Sequence, residues 1–193
     1  MALKIHVILG STRPGRFSEK PGKWILGELQ KKEGIEAELI DLRDWPLPFF
    51  NEPKSPSHSN GEYSTEVATK WAKKVGEADG FIIVTPEYNH GYPAVLKNAL
   101  DYVYDQWNNK PVGFVSYGGV SGGTRSVQQL RQVAIELQMV PIRNGIHFPL
   151  FWDHLDEKGE LKTEAHTENA GNFLDQLLAV AGTLKQVRAQ KEI

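Results

Sequence analysis

Residues 80–86, GFIIVTP, form the most apolar short run in the chain. A strand that is apolar on both faces is buried on both, which is the situation of a parallel sheet covered by helices on either side. The flanking sequence supplies the other parts of such a fold. LKIHVIL (3–9), IEAELIDL (35–42), PVGFVSY (111–117) and VPIRNGIHFP (140–149) read as further strands, and 35–42 alternates apolar with charged residues as an edge strand does. Between them the apolar residues recur at helical spacing. Trp24, Ile25 and Leu29 predict a helix over 18–32, and Val67, Trp71 and Val75 predict one over 64–77. Val95, Leu96, Ala99, Leu100 and Val103 mark a third, and Val127, Leu130, Ala134 and Leu137 a fourth. A C-terminal helix is expected from Phe173 to Val187.

Strands alternating with helices imply right-handed crossovers and a parallel sheet between two helical layers. The expected fold class is therefore α/β, a three-layer α/β/α sandwich. At 193 residues the chain reads as a single domain, 1–193, with a C-terminal helical extension from about 163. Residues 43–62, rich in Pro, Ser and Asn, read as a long loop. Its Trp45, Pro46, Phe49 and Phe50 form either an apolar contact surface, a lid, or cover for the core.

Composition narrows the function. Lys and Arg number 22 against 24 Asp and Glu, a net charge of -2, which gives no bulk field to recruit nucleic acid. There is no cysteine, which excludes disulfides and thiolate chemistry and points to a cytoplasmic location. The N-terminal apolar run is too short for a signal peptide, and no stretch approaches the ~20 apolar residues of a membrane span. The six histidines show no metal-binding spacing, so no metal site is expected.

In a parallel α/β sheet, ligands bind beyond the carboxyl ends of the strands. Three unusual stretches fall there: GSTRPGRFS (10–18), TPEYNHGYP (85–93) and SYGGVSGGTRS (116–126). The first opens a helix, whose N-terminal amides suit a phosphate. Ser11, Thr12 and Ser18 add hydroxyl donors, and Arg13 or Arg16 can chelate phosphate oxygens. Gly10 and Gly15 have the spacing of a nucleotide-triphosphate loop, but Arg16 and Phe17 follow where lysine and a hydroxyl are needed. A monoester phosphate without metal fits better; the alternative is a simple helix cap with exposed arginines. The second loop sets Glu87, Tyr88, Asn89, His90 and Gly91 between Pro86 and Pro93, either as a wall for a planar ring or as a rigid surface turn. The third carries Gly118, Gly119, Gly122 and Gly123 beside Ser116 and Tyr117, which brings backbone close to a ligand or else makes a flexible turn. A phosphate, a flat ring and close backbone together describe FMN.

These same stretches resemble the NADPH-dependent FMN reductase family of flavodoxin-like proteins, which also includes quinone, azo-dye and chromate reductases. The resemblance covers roughly residues 3–150. It implies a five-stranded parallel sheet of order 2-1-3-4-5, non-covalent FMN, NADPH or NADH as co-substrate, a small-molecule electron acceptor, and a homodimer or homotetramer. Carried over, it implies phosphate on Ser11, Arg13 and Ser18 with Phe17 near the ribityl chain. It implies ring contacts from Pro86, Glu87, Tyr88 and Asn89, and pyrimidine-side contacts from Ser116, Tyr117, Gly118 and Gly119. Gly91–Tyr92 and Tyr102 depart from the family's usual residues at positions bordering the acceptor pocket.

Hydride transfer through a flavin needs no protein acid or base, so no catalytic side chain is assigned. The alternative within this chemistry is a flavodoxin-type electron carrier or a non-catalytic FMN-binding protein. Gly119 to Gly123 also fits the G-x-S-x-G of a nucleophile elbow, a minor rival because Asp153 and His154 are adjacent rather than placed as triad partners. Arg16, Lys20 and Arg125 are the candidate cations for a 2′-phosphate.

Overall fold

The computed structural model describes residues 2–59 and 61–191, with the side chain of Lys191 left aside. Five parallel strands stand in the order β2-β1-β3-β4-β5: β1 Leu3–Leu9, β2 Ile35–Asp41, β3 Gly80–Pro86, β4 Pro111–Tyr117 and β5 Val140–Phe148. This is the expected order, with 35–41 at one edge. Every residue of β3 and β4 is buried, which explains their unbroken apolar runs.

Alternation along each central strand divides the core in two. Phe81 and Ile83 face one side, with Val112 and Phe114, where α2 (Glu66–Gly76), α3 (Ala94–Asp101) and α4 (Thr124–Glu136) bury Trp71, Leu100 and Leu130. Ile82 and Val84 face the other, with Val7 and Val115, under α1 (Glu19–Gln30) and α5 (Thr167–Lys191). On the first side two buried indoles donate to the carbonyls of α3, Trp71 to Ala99 (2.8 Å) and Trp107 to Leu100 (3.1 Å), so neither aromatic buries an unmet donor.

Three elements differ from expectation. The C-terminal helix begins at Thr167, because the first residues, Thr-Glu-Asn, carry no apolar period although the helix already turns there. It is a full member of the second layer: Ala170, Phe173, Leu174, Leu177 and Ala181 are buried, and Phe173 lies so close to β4 that a Cβ at Gly113 would stand 2.5 Å from its ring. The segment 43–62 is partly folded. Leu42–Asp44 and Pro56–His58 form 3₁₀ turns, and Trp45, Leu47 and Phe50 pack on the first core, Trp45 with its ring 5.1 Å from that of Trp71. Asn98 holds this segment, accepting from the Phe50 amide (2.8 Å) and donating to the Pro48 carbonyl (2.8 Å), while Phe49 is left 84 % exposed. Helix α2 starts two residues later than the spacing suggests, at the point where Thr65 accepts from the Ala68 amide and caps it.

Candidate functional site

The loops after β1, β3 and β4 meet at the carboxyl edge of the sheet around a groove of about 230 Å³. Its walls are Arg13, Gly15, Arg16 and Phe17 from the first loop, Pro86, Glu87 and Tyr88 from the second, and Tyr117, Gly118 and Gly119 from the third. Phe151, from the segment after β5, completes the floor.

The first loop is held from behind by two arginines. The Arg16 guanidinium is buried and forms a two-pronged pair with Asp41, one prong at 2.7 Å, while donating to the Ser11 carbonyl and to Glu19 (3.1 Å). Hydrogen bonding to Asp41 raises Arg16 further above its ordinary value, and the Asp41 carboxyl is held low by the same contact against the cost of burial. Arg43 donates to the carbonyls of Thr12 (3.2 Å) and Arg13 (2.7 Å). With its carbonyls thus drawn outward, the loop turns its amides the other way. Among the described residues no backbone carbonyl accepts from the amides of Phe17, Ser18 and Glu19 at the start of α1, the partly positive end of the helix; the Ser18 amide has the Tyr117 hydroxyl near it.

Arg13 and Arg16, indistinguishable by residue type, therefore have different tasks. Arg16 departs from the sequence-based expectation: four of its five donors go to Asp41, Glu19 and Ser11, so in this structure it shapes the loop. Arg13 is exposed, with no side-chain partner among the described residues. Ser11 is buried and shares a hydrogen bond of 2.9 Å with the Tyr88 hydroxyl, which ties the first loop to the second.

The hydroxyls of Ser18 and Tyr117 are buried and make no well-formed hydrogen bond, and they lie close to one another, with the Ser18 amide and the Ser11 hydroxyl also near the Tyr117 oxygen. Burial pushes Tyr117 up to about 12, so it keeps its proton at neutral pH. Its ring packs tilted against Phe17 (5.1 Å between centroids) and edge-to-face against Phe151 (5.8 Å). Two neutral hydroxyls, the amides that open α1 and an arginine with no side-chain partner among the described residues make one end of this aromatic groove rich in donors. FMN would supply an acceptor for these donors in its phosphate and a flat ring for the aromatic walls. The residues present fit the group.

In the second loop Tyr88 and Gly91 exchange backbone hydrogen bonds (2.8 and 3.0 Å) around Asn89 and His90, both at positive φ (51° and 68°). This two-residue turn has type I′ geometry, which Asn tolerates and His adopts at a cost. Asn89, His90 and Gly91 make the turn beyond the groove; Pro86, Glu87 and Tyr88 line it. Glu87 accepts from Ser121 (2.8 Å) and from the Arg125 side chain (2.7 Å) and amide (3.1 Å), contacts that outweigh burial and hold its carboxyl low. It therefore latches the second loop to the third. The Ser121 hydroxyl is spent on that latch, which removes the nucleophile-elbow rival. Arg125 with Glu87 and Lys20 with Glu160 (3.6 Å) join Arg16 as cations already paired.

In the third loop the Ser116 hydroxyl donates to the Gly122 carbonyl (2.7 Å) and contacts His147 Nδ1 (2.7 Å), which makes Ser116 a brace for the loop. Gly122 and Gly123 have φ of 61° and 85°. A Cβ at Gly123 would lie 2.9 Å from the Tyr117 backbone, and one at Gly122 2.9 Å from the Pro149 nitrogen. These two glycines answer to the chain's own packing. Gly118 spends its amide on the Phe148 carbonyl at 3.3 Å, whereas among the described residues the Gly119 amide meets no acceptor and its Cβ position is open.

Sequence reasoning missed Asp41, Arg43 and Phe151. Asp41 was findable: order 2-1 and parallel register set it beside Leu9, at the root of the first loop. Phe151 sits in an aromatic pair just past a strand end and had no such register to betray it.

The model of the NADPH-dependent FMN reductase family matches residues 3–153. An NAD(P)H-dependent FMN reductase of Schizosaccharomyces pombe is 43% identical over 149 residues, 76% of this chain and 74% of its own length. An NAD(P)H:quinone oxidoreductase of Solanum tuberosum is 38% identical over 142 residues, covering 71% and 70%. Among solved structures the flavoenzyme NAD(P)H:(acceptor) oxidoreductase FerB of Paracoccus denitrificans superposes with a TM-score of 0.71 at 21% identity, over 96% of this chain and 98% of that one, which speaks to the fold. With the sheet order, the groove and these matches in agreement, the chain belongs to the NADPH-dependent FMN reductase family.

Proposed function

We propose that the protein holds FMN in this groove and uses it to pass hydride from NADPH or NADH to a small acceptor of the quinone, flavin or azo class. The observation that carries this reading is the concentration of donors at one end of the groove: Arg13, which has no side-chain partner among the described residues, the amides at the start of α1, and the buried Ser18 and Tyr117 hydroxyls, which make no well-formed hydrogen bond. Bound FMN supplies the two-electron chemistry. The chain supplies the seat. Arg13 and the start of α1 take the phosphate, and Ser18 and Tyr117 donate to its oxygens. Tyr88 and the Glu87–Arg125 latch set the wall along the ring, and the free Gly119 amide offers a donor to negative charge that builds on it. Excluding water on the Phe17, Tyr117 and Phe151 side leaves the opposite face for nicotinamide and acceptor in turn. This shared site favours small planar acceptors.

A cytoplasmic homodimer or homotetramer is part of the same reading. The absence of cysteine supports the first, and the exposed Val120, Leu150 and Trp152 at the groove's rim support the second. Among the described residues no helix is long and apolar enough to cross a membrane.

The test is spectroscopic. Purified protein soaked in FMN and desalted should keep flavin absorbance, lose it on addition of NADPH or NADH under nitrogen, and oxidise the nucleotide steadily when menadione is added. Protein that stays colourless after soaking would end the proposal. Retained flavin without turnover would leave an electron carrier or a binding protein.

A further inference from the structure

Away from the groove, three elements bring a nitrogen and two carboxylates together. His6 lies in the middle of β1, Glu38 is its register partner on β2, and Glu77 caps the end of α2. Their ligand atoms all lie within 4.8 Å of one another, and among the described residues this is the one such group of three or more. His6 is 1 % exposed, and its Nε2 has no hydrogen-bond partner; it points at Glu38, 3.5 Å from Oε2. An unpartnered buried ring nitrogen facing carboxylates is what calls for explanation. Parallel pairing puts His6 and Glu38 on one face of the sheet, and the edge of the Phe81 ring (6.3 Å) fixes the imidazole plane.

The carboxylates already hold cations. Lys4 Nζ is 2.9 Å from Glu77, and Lys74 Nζ is 3.0 Å from both Glu38 and Glu77. Both lysines reach the cluster from the surface, with side chains 30% and 22% exposed, so each ammonium can withdraw into water without crossing the core. The two ammoniums neutralise the pair but leave Nε2 unserved, since an ammonium and a bare imidazole nitrogen are not joined here. A single divalent ion would serve all three.

We propose that His6, Glu38 and Glu77 form a binding site for a divalent transition-metal ion of the zinc type, which enters by displacing the ammoniums of Lys4 and Lys74. One imidazole and two carboxylates are a borderline donor set that selects zinc, cobalt or nickel over magnesium or calcium. The ring is available because its buried Nε2 has no partner and faces both carboxylates. The role is structural. His6 stands four residues before Gly10, about 13 Å along the strand from the first loop, and the ion would cross-link β1, β2 and α2. The lysines make the site self-satisfied without metal and set a modest affinity.

The test uses the flavin-loaded protein, cleared of metal with a chelator and titrated with zinc chloride at pH 7.5 by calorimetry. One equivalent should bind and raise the melting temperature. Glu38→Gln and Glu77→Gln should each weaken binding by about tenfold or more. Lys74→Met should tighten it, because a competing cation is gone, whereas an ion-pair cluster that takes no metal would show no such gain. No zinc uptake would overturn the proposal. So would uptake unchanged in both glutamine variants, including the case where it disappears instead in His166→Ala and belongs to the His154–His166 pair, whose ring nitrogens lie 3.2 Å apart.

Discussion

The loops at residues 11–18 and 118–123 flank the same groove and are fixed by opposite means. The first is fixed by charge: Arg16 and Arg43 grip its carbonyls and are themselves anchored on Asp41 and Glu19. The second is fixed mainly by space: Gly122 and Gly123 let backbone press on backbone, Ser116 joins the loop to β5, and the one ionic hold is the Glu87 latch on Ser121 and Arg125. A charge-held loop keeps its amides free, because side chains satisfy its carbonyls. A space-held loop consumes much of its own hydrogen bonding, which leaves the Gly119 amide for a ligand. The anion end and the ring end of the groove follow from that difference.

The comparison breaks most sharply at Gly123. Alanine there meets the Tyr117 backbone at a φ of 85°, and strain plus overpacking should cost about 4 kcal/mol, a fall in melting temperature of roughly 10 °C or more. Gly119→Ala, in the same glycine-rich stretch, has an open Cβ position and should leave the melting temperature of the flavin-free protein unchanged. Equal losses in the two variants would show that the loop is not held by close packing. For the charge-held loop the matching change is Asp41→Asn. It leaves the buried Arg16 guanidinium with a neutral partner and should cost about 2–3 kcal/mol, since Asp41 is partly exposed and water recovers some of the loss. Flavin retention should fall with it, as the α1 amides lose their orientation. Full retention in Asp41→Asn would mean that the arginine pair does not set the loop.

How far each loop was legible in the sequence has the same physical origin. The strand order and the helices could be read because GFIIVTP and its neighbours carry periodicity, which is local. What holds the first loop is not local: Arg16 and Asp41 are 25 positions apart and meet because β2 pairs with β1, so residue type alone cannot separate Arg16 from Arg13. In the third loop the glycines were visible as a cluster, but their reasons differ. Gly122 and Gly123 answer to Pro149 and Tyr117, while Gly119 answers to nothing in the described chain. Trp45 and Phe50 were hidden by the Pro- and Ser-rich composition around them, although they pack on the core. The start of α5 was hidden because its first turn is polar.

The next effect separates holding from binding within the first loop. Arg13→Ala removes the arginine that has no partner among the described residues, so it should weaken FMN binding by about 1.5–3 kcal/mol while the melting temperature of the flavin-free protein stays the same. Asp41→Asn moves both quantities. A variant at Arg13 that lowers stability but not affinity would reverse the two roles.

The smallest effect sets the two loops against acid. Burial lowers His147, so in the folded protein the ring resists protonation at a pH where the unfolded chain, with an ordinary value of 6.5, accepts it. The unfolded state then binds more protons, and this contribution to stability is lost as pH falls below 6.5. With the Ser116 proton committed to Gly122, the neutral ring already donates from Nδ1 to the Ser116 oxygen, so acid adds its proton at Nε2 and places a charge in a half-buried site near Arg131. Asp41 is held below its ordinary 3.8, so the support it gives the first loop is present above that value and goes only as pH falls further. On mild acidification the space-held loop should therefore loosen first. The melting temperature cannot isolate this, because His6 and His166 are lowered by burial too and contribute in the same direction. Flavin affinity can: between about pH 7.5 and 5.5 it should weaken in the wild-type protein and weaken less in His147→Gln. If both proteins respond alike, the histidine brace plays no part at the groove, and the third loop is held by the glycines and the Glu87 latch.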